Sequence, residues 1–236
     1  MAKKSNVLKL DIIRRASDLF LTRGYTMTTM KMIGEAAEIS TGNVTYYFPT
    51  KEDLLAVMVS LLCEYQWRRI EIEADDGLSS VMAVCLELAT MAAICEEDEI
   101  AKDFFLSAYT SPLCLGIMRQ NDAARAKRVF GQYCPGWSEE HFAEAEIIVS
   151  GIEYATLFTA GREVPLQTRI AGALNSILIT YQVPEELRKD KIHKVLQMDY
   201  QNIAKQLLSG FKEYVTMSNE QALSDLLAIE LHRAFI

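Results

Sequence analysis

The chain has 236 residues, half of them apolar, enough to bury a substantial core in one or two domains and with no compositional sign of disorder. It has no charge-free apolar run of about 18 residues, and MAKKSNVLKLD lacks the apolar core and cleavage site of a secretory leader, so spanning and exported classes are set aside and a cytoplasmic location is expected. The net charge of -8 would argue against a polyanionic partner were it even, but residues 1–51 hold eight Lys/Arg against four Asp/Glu, which leaves the acidic excess on the rest.

In chain order, Ile12, Ile13, Ala16, Leu19 and Phe20 repeat at helical spacing opposite Arg14, Arg15 and Asp18, which predicts an amphipathic first helix over about Val7 to Arg23. Gly24 suits the residue that closes it. Lys3 and Lys4 ahead of it are either an arm that reaches phosphates or a frayed terminus. Thr28 and Thr29 then stand before Met30, Ile33, Ala36 and Ala37, the N-cap and apolar face of a short helix. Ser40 is a second N-cap, and Thr41 to Phe48 reads as another short helix that Pro49 interrupts. Two helices joined by so short a turn make a helix-turn-helix.

The stretch GYTMTTMKMIGEAAEISTGNVTYYFPTKEDLL resembles the DNA-binding segment of the TetR family of bacterial transcriptional regulators. The residues that carry the likeness are Phe20, Gly24 and Tyr25, the Thr28 to Ala37 helix, the Ile39-Ser40 turn, Gly42, the Tyr47-Phe48 pair and the Lys51 to Leu54 exit. They cover about the first quarter of the chain; the remainder is similar only in being helical and of comparable length. The sequence departs from the family pattern at three positions. Glu38 stands where a turn glycine is usual, Thr45 replaces a customary tyrosine that touches DNA, and Gly34 replaces an alanine at an expected loss of up to about 1 kcal/mol of helix stability.

In a helix-turn-helix the second helix lies in the major groove with its N-terminal residues at base edges. Here those residues are Thr41, Gly42, Asn43 and Thr45. Asn43 can pair with adenine N6 and N7, and each threonine offers a hydroxyl to a base or a methyl group to thymine. Tyr46, Tyr47 and Lys51 are candidates for phosphate, with Tyr47 equally suited to packing against the first helix and Phe48 assigned to the core. Thr28, Thr29, Lys31 and Ser40 complete the expected DNA-binding set. No Lys or Arg lies between Lys31 and Lys51, so a guanine code read by arginine is not expected from this helix.

After Pro49, Thr50-Lys51-Glu52-Asp53 reads as a capped start with acids in the first turn, opening a helix through Leu54, Leu55, Met58, Leu61, Leu62 and Tyr65 to about Ala74. About 24 residues span roughly 36 Å, enough to join a head to a body. Asp75-Asp76-Gly77 marks the boundary. Further helices are predicted at about Ser79 to Cys95, Glu97 to Tyr109, Pro112 to Tyr133 with a possible break near Asn121, Ser138 to Gly161, Pro165 to Tyr181, Pro184 to Val215 and Asn219 to Phe235. Ser218 and Gln221 have capping-box spacing for the last of these, and Ser138 with Glu139 and Glu140 starts an earlier one. No period-two segment of strand length intervenes, which makes the fold all-α.

Together, residues and resemblance give an N-terminal three-helix domain over 1–50, a connecting helix over 51–75 and a larger helical effector-binding and dimerisation domain over 76–236. The resemblance implies a homodimer on a palindromic operator in double-stranded DNA, with a small-molecule effector in the body and an interface from two late helices. Ile147 to Phe158 and Ile170 to Ile179, apolar with small residues, suit either that interface or the core. Candidate effector contacts are Tyr65, Phe105, Tyr109, Met118, Phe130, Tyr133, Tyr154 and Phe158, which are suited either to a cavity wall or to ordinary core. Glu153, an acid in an apolar run, either meets a cationic effector, pairs with a basic neighbour or faces water. Five widely spaced cysteines without a C-x-x-C pair read as buried free thiols, so neither a disulfide framework nor a zinc site is indicated, and no metal or cofactor is expected. Scattered histidines and the absence of hydrolase, zinc-protease or phosphate-loop motifs argue against an enzyme. A helical module that grips protein is the alternative.

Overall fold

A computed structural model describes residues 2–75, 80–159 and 164–217. Among these the secondary structure is helical throughout: α1 (Ala2–Arg23), α2 (Met30–Ala36), α3 (Thr41–Tyr47), α4 (Lys51–Asp75), α5 (Ser80–Glu97), α6 (Glu99–Thr110), α7 (Pro112–Phe130), α8 (Glu139–Phe158), α9 (Leu166–Thr180), α10 (Glu185–Gln197) and α11 (Tyr200–Met217). The expected last helix, with Ser218 and Gln221, lies outside the described residues.

The caps follow from the sequence. Thr29 accepts from the Met32 amide, Ser40 from Asn43, Asp98 from Ile100 and Ala101, and Ser111 from Cys114 ahead of Pro112 at the first helical position. At α8 the Ser138 hydroxyl accepts from the His141 amide while the His141 ring accepts from the Ser138 amide, so a histidine fills the capping-box role usually held by Glu or Gln.

Three expectations are corrected. Helix α1 starts at Ala2, so Lys3 and Lys4 belong to the helix instead of forming an arm. Helix α7 runs through Asn121 without a break, the Asn121 amide donating back to the Ile117 carbonyl. The segment expected as one helix from Pro184 to Val215 is two: Met198 is extended (ψ 154), and Asp199 accepts from the Asn202 amide to start α11. An aspartate three residues ahead of that amide is an N-cap signal that an otherwise continuous apolar period concealed.

In the head, Ile12, Ile13, Ala16 and Phe20 of α1 enclose Ile33 of α2 and Val44 of α3, all buried. Phe48 closes this core, and it runs on without interruption into the body. The reason is α4, whose residues from Leu54 to Leu61 are all buried, Ser60 included. The head covers one side of it and α5, α6 and α7 cover the others. Helix α5 is the central strut of the body, buried along most of its length and packed on α6, α8, α9, α10 and α11. All five cysteines are buried, and none forms a disulfide among the described residues. Among the described residues no helix is long and apolar enough to cross a membrane.

Candidate DNA-reading head and effector cavity

The turn between α2 and α3 sets the orientation of α3. Ile39 donates to the Gly34 carbonyl (2.9 Å) and Glu38 to that of Glu35 (3.2 Å), with Glu38 left-handed at φ 56. This is a glycine-type helix end with a glutamate in the glycine place. The usual turn shape is therefore kept, and the side chain costs about 1 kcal/mol. Gly34 has a positive role that its weak helix propensity hides. A Cβ there would lie 2.9 Å from the Ile39 carbonyl oxygen and 3.4 Å from the Thr41 nitrogen, so the missing side chain lets α2 pass close under the start of α3.

On α3 the inward residue is Val44, fully buried, while Thr41, Gly42, Asn43, Thr45 and Tyr46 are exposed. Tyr46 stands out at 80% exposed, its ring edge-on to that of Tyr47, which packs in part against the core. The Thr45 hydroxyl donates to the Gly42 carbonyl (3.1 Å), and Thr29 and Ser40 are exposed caps. Lys31 is exposed in an ion pair with Glu35 (3.8 Å).

Two expected contacts are placed elsewhere. Thr28 is fully buried and donates to the Gly24 carbonyl at 2.7 Å, so it fixes the turn after α1 and has no face to offer DNA. Lys51 folds inward. Its ammonium donates to the carbonyls of Tyr25 (2.7 Å) and Thr28 (2.8 Å) and lies over the Tyr25 ring, 4.1 Å from its centre. Burial lowers its pKa, with Asp103 opposing that shift. Lys51 thus ties the start of α4 to the turn between α1 and α2.

The body contains a cavity of three adjoining lobes. The largest, with an empty volume of about 730 Å³, is apolar, walled by Leu86, Ile94, Phe104 and Phe211 and by Leu62, Tyr65 and Gln66 of α4. A middle lobe of about 350 Å³ shares Leu62, Gln66, Met91 and Phe105 with it and adds Tyr109, Met118 and Glu153. An inner lobe of about 470 Å³ carries Glu87, Asp122, Arg125, Glu146, Glu153 and Tyr181.

Of the expected effector residues, Tyr65, Phe105, Tyr109, Met118 and Phe130 line these lobes. Tyr133, Tyr154 and Phe158 do not. Tyr133 packs, partly buried, against the core, Tyr154 is 40% exposed on the outer face of α8, and Phe158 sets its ring edge against Tyr109 at 6.0 Å. Helix α8 has two apolar faces, and Tyr154 belongs to the outward one with Ile147 and Ile148, both more than half exposed. The Cβ positions of Gly151 on α8 and Gly172 on α9 face open space.

The polar part of the inner lobe was not anticipated, except for Glu153. Its signals are in the sequence: Glu87 is the single charge between Ser79 and Cys95, and Glu146 and Glu153 are seven apart, hence on one helix face. Arg125 donates to Glu87 (2.9 Å) and pairs with Asp122 (3.2 Å). Burial would lower its pKa, but Glu87 and Asp122 outweigh that and keep it charged. The Tyr109 hydroxyl donates to Glu153 at 2.9 Å and the Tyr181 hydroxyl to Glu146. Burial raises the pKa of Asp122 to about 6, against the pull of Arg125 and with Glu87 adding to the rise. Burial and then Asp122 raise Glu146 to about 8, and burial, Asp122 and Glu146 carry Glu153 well above the carboxylate range.

Residues 12–58 match the family model described as bacterial regulatory proteins, tetR family. The HTH-type transcriptional regulator QacR of Staphylococcus aureus is 35% identical over 69 residues, 28% of this chain and 37% of that protein, so the likeness spans little more than a third of the relative. Among solved structures, the fold is similar to that of Thermus thermophilus FadR, a TetR-family transcriptional repressor in complex with lauroyl-CoA. The TM-score is 0.56 and the identity 21%, covering 75% of this chain and 96% of that one.

Proposed function

We propose that this chain, whose residues 12–58 match the model of the tetR family of bacterial regulatory proteins, is a ligand-responsive transcriptional regulator, a repressor released from a palindromic operator when a small molecule enters the body. The observation that carries this reading is the course of α4. Its first turns, at Leu54 and Leu55, are buried in the core shared with α1, and its fourth turn and the start of its fifth, at Leu62, Tyr65 and Gln66, form cavity wall. A ligand that displaces the wall displaces the floor of the reading head.

The reading face is Thr41, Gly42, Asn43, Thr45 and Tyr46, flanked by Thr29, Lys31, Ser40 and the part-exposed edge of Tyr47. It offers amide and hydroxyl groups to A·T-rich steps. Lys51 and Thr28 position this face from within. Two copies would associate through the outward apolar face of α8, at Ile147, Ile148, Gly151 and Tyr154, with Ile179 of α9 beside it. Single copies rarely expose so contiguous an apolar patch, and a two-fold pair matches an operator of two half-sites. The division into a head over 1–50, a connecting helix over 51–75 and a body over 76–236 is one of role, since a single core runs through all three. The protein would act on the chromosome in the cytoplasm as a regulator rather than an enzyme, and His141 is already spent on capping α8.

A gel-shift titration on fragments from the gene's own neighbourhood tests the proposal. Salt-sensitive binding to one fragment, lost when Asn43 and Tyr46 are both replaced by alanine, is expected. No salt-sensitive binding to any such fragment would overturn it and favour a head that grips protein.

A further inference from the structure

The inner lobe of the cavity holds more acid than its single base can balance. Glu87 comes from α5, Asp122 and Arg125 from α7, and Glu146 and Glu153 from α8. The guanidinium of Arg125 is committed to Glu87 and Asp122. Glu146 is 3% exposed, and among the described residues its one partner is the Tyr181 hydroxyl, at a single carboxyl oxygen. Its side chain lines the lobe and meets no cation there. Glu153 likewise meets a hydroxyl, that of Tyr109, and no cation. An uncompensated carboxylate withdrawn from water is costly, and for both groups desolvation raises the carboxyl pKa, which favours the protonated form. Beyond them the space opens into the large apolar lobe, with Phe105 and Tyr109 on the way.

We infer that the effector is an amphiphilic organic cation, an amine or quaternary ammonium whose apolar part fills the lobe against Phe104 and Phe211 and whose charge is received by Glu153 and Glu146. The inference rests on the cavity being the effector site. Binding is an exchange: the cation takes the place of a carboxyl proton, which leaves to solvent, so the lobe's net charge is unchanged. The rings of Phe105 and Tyr109 flank the route of the positive group and favour it further. An anionic head of the same length would meet Glu87, Asp122 and two further acids, and a neutral one would gain nothing from them.

The test compares decyltrimethylammonium, decanol and decanoate by titration calorimetry on the full chain below micelle concentrations. The quaternary cation is expected to bind about tenfold or more tightly than decanol, with decanoate weakest. Its heat should vary with the ionisation enthalpy of the buffer, which reports a released proton. Glu153→Gln and Glu146→Gln keep the shape of the protonated acid, and each should cost the cation about tenfold while decanol binding is unchanged. Thermal melts of both variants show whether they are folded. Equal affinity for cation and alcohol, or no proton release, or variants that bind the cation normally, each overturn the inference. A gel shift on the same preparations keeps the two readings apart. Operator binding without cation preference sinks this inference alone, and cation preference without DNA binding sinks the regulator.

Discussion

Asp103 of α6 holds the turn between α1 and α2 through Thr26. Its Oδ2 lies 2.8 Å from the Thr26 amide nitrogen, and its Oδ1 accepts from the Thr26 hydroxyl. The same carboxylate occupies the place where a side chain at Gly24 would stand, 2.9 Å from the Cβ position, and Gly24 is left-handed at φ 92. Next along α6, Phe104 and Phe105 are cavity wall. One helical turn thus touches both the body cavity and the turn between α1 and α2.

Replacing Asp103 by alanine removes two charge-assisted bonds at a partly solvated site, for an expected loss of about 1 to 3 kcal/mol. Urea melts of the wild type and the variant measure it. If α6 transmits effector binding, the variant should also keep more of its DNA affinity when the effector is present.

Glu38→Gly places the residue with the least strain at a left-handed position. It is expected to stabilise the protein by about 1 kcal/mol, less the entropy that glycine returns to the unfolded chain. A rise in the denaturation midpoint without a change in slope is the readout. No rise would mean that the glutamate side chain is held by contacts which repay the strain.

Gly34→Ala acts against helix propensity. Alanine favours a helix by up to about 1 kcal/mol over glycine, but its Cβ would press on the Ile39 carbonyl at 2.9 Å, a backbone atom that cannot swing aside. The expected outcome is a lower Tm together with weaker operator binding, as α3 is tilted off its seat. A higher Tm with unchanged DNA binding would refute the close approach as a constraint.

Asn43→Ala should weaken operator binding by about 1 to 3 kcal/mol, the worth of a paired contact to adenine. Melting should be unmoved, because the side chain is exposed and the Ser40 cap uses the backbone amide of Asn43. Footprints of the variant should lose discrimination at one A·T position in each half-site.

The acids of the inner lobe make stability depend on pH in an unusual direction. Glu146 has its folded pKa raised to about 8 from 4.5, so between these values the native state holds a proton that the unfolded state has released. Its contribution to stability is therefore greatest at low pH and falls as pH rises through that window. Asp122, raised to about 6, adds to the slope between 3.8 and 6. The Tm of the unliganded protein should drop from about pH 5 to about pH 8, and Glu146→Gln should flatten the upper part of that fall.

The sequence by itself determined the local features. Hydroxyl caps at Thr29, Ser40, Ser111 and Ser138, the closing glycine at Gly24 and the apolar period of α1 each depend on residues within a turn or two of one another, so the helices and the reading motif were legible. The exposure of Thr41, Asn43, Thr45 and Tyr46 on α3 followed from the same short range. Only the tertiary structure decided what each face meets. Periodicity shows that α8 has apolar faces but not that Glu146 and Glu153 look inward while Tyr154 looks out. It cannot show that Lys51 is taken up by carbonyls 23 and 26 residues away, or that Thr28 lies inside. The acids of the lobe come from α5, α7 and α8, and their shared electrostatics exist only once those helices pack. Spacing along one helix fixes directions about its own axis, and the partner across that axis is set by the rest of the chain.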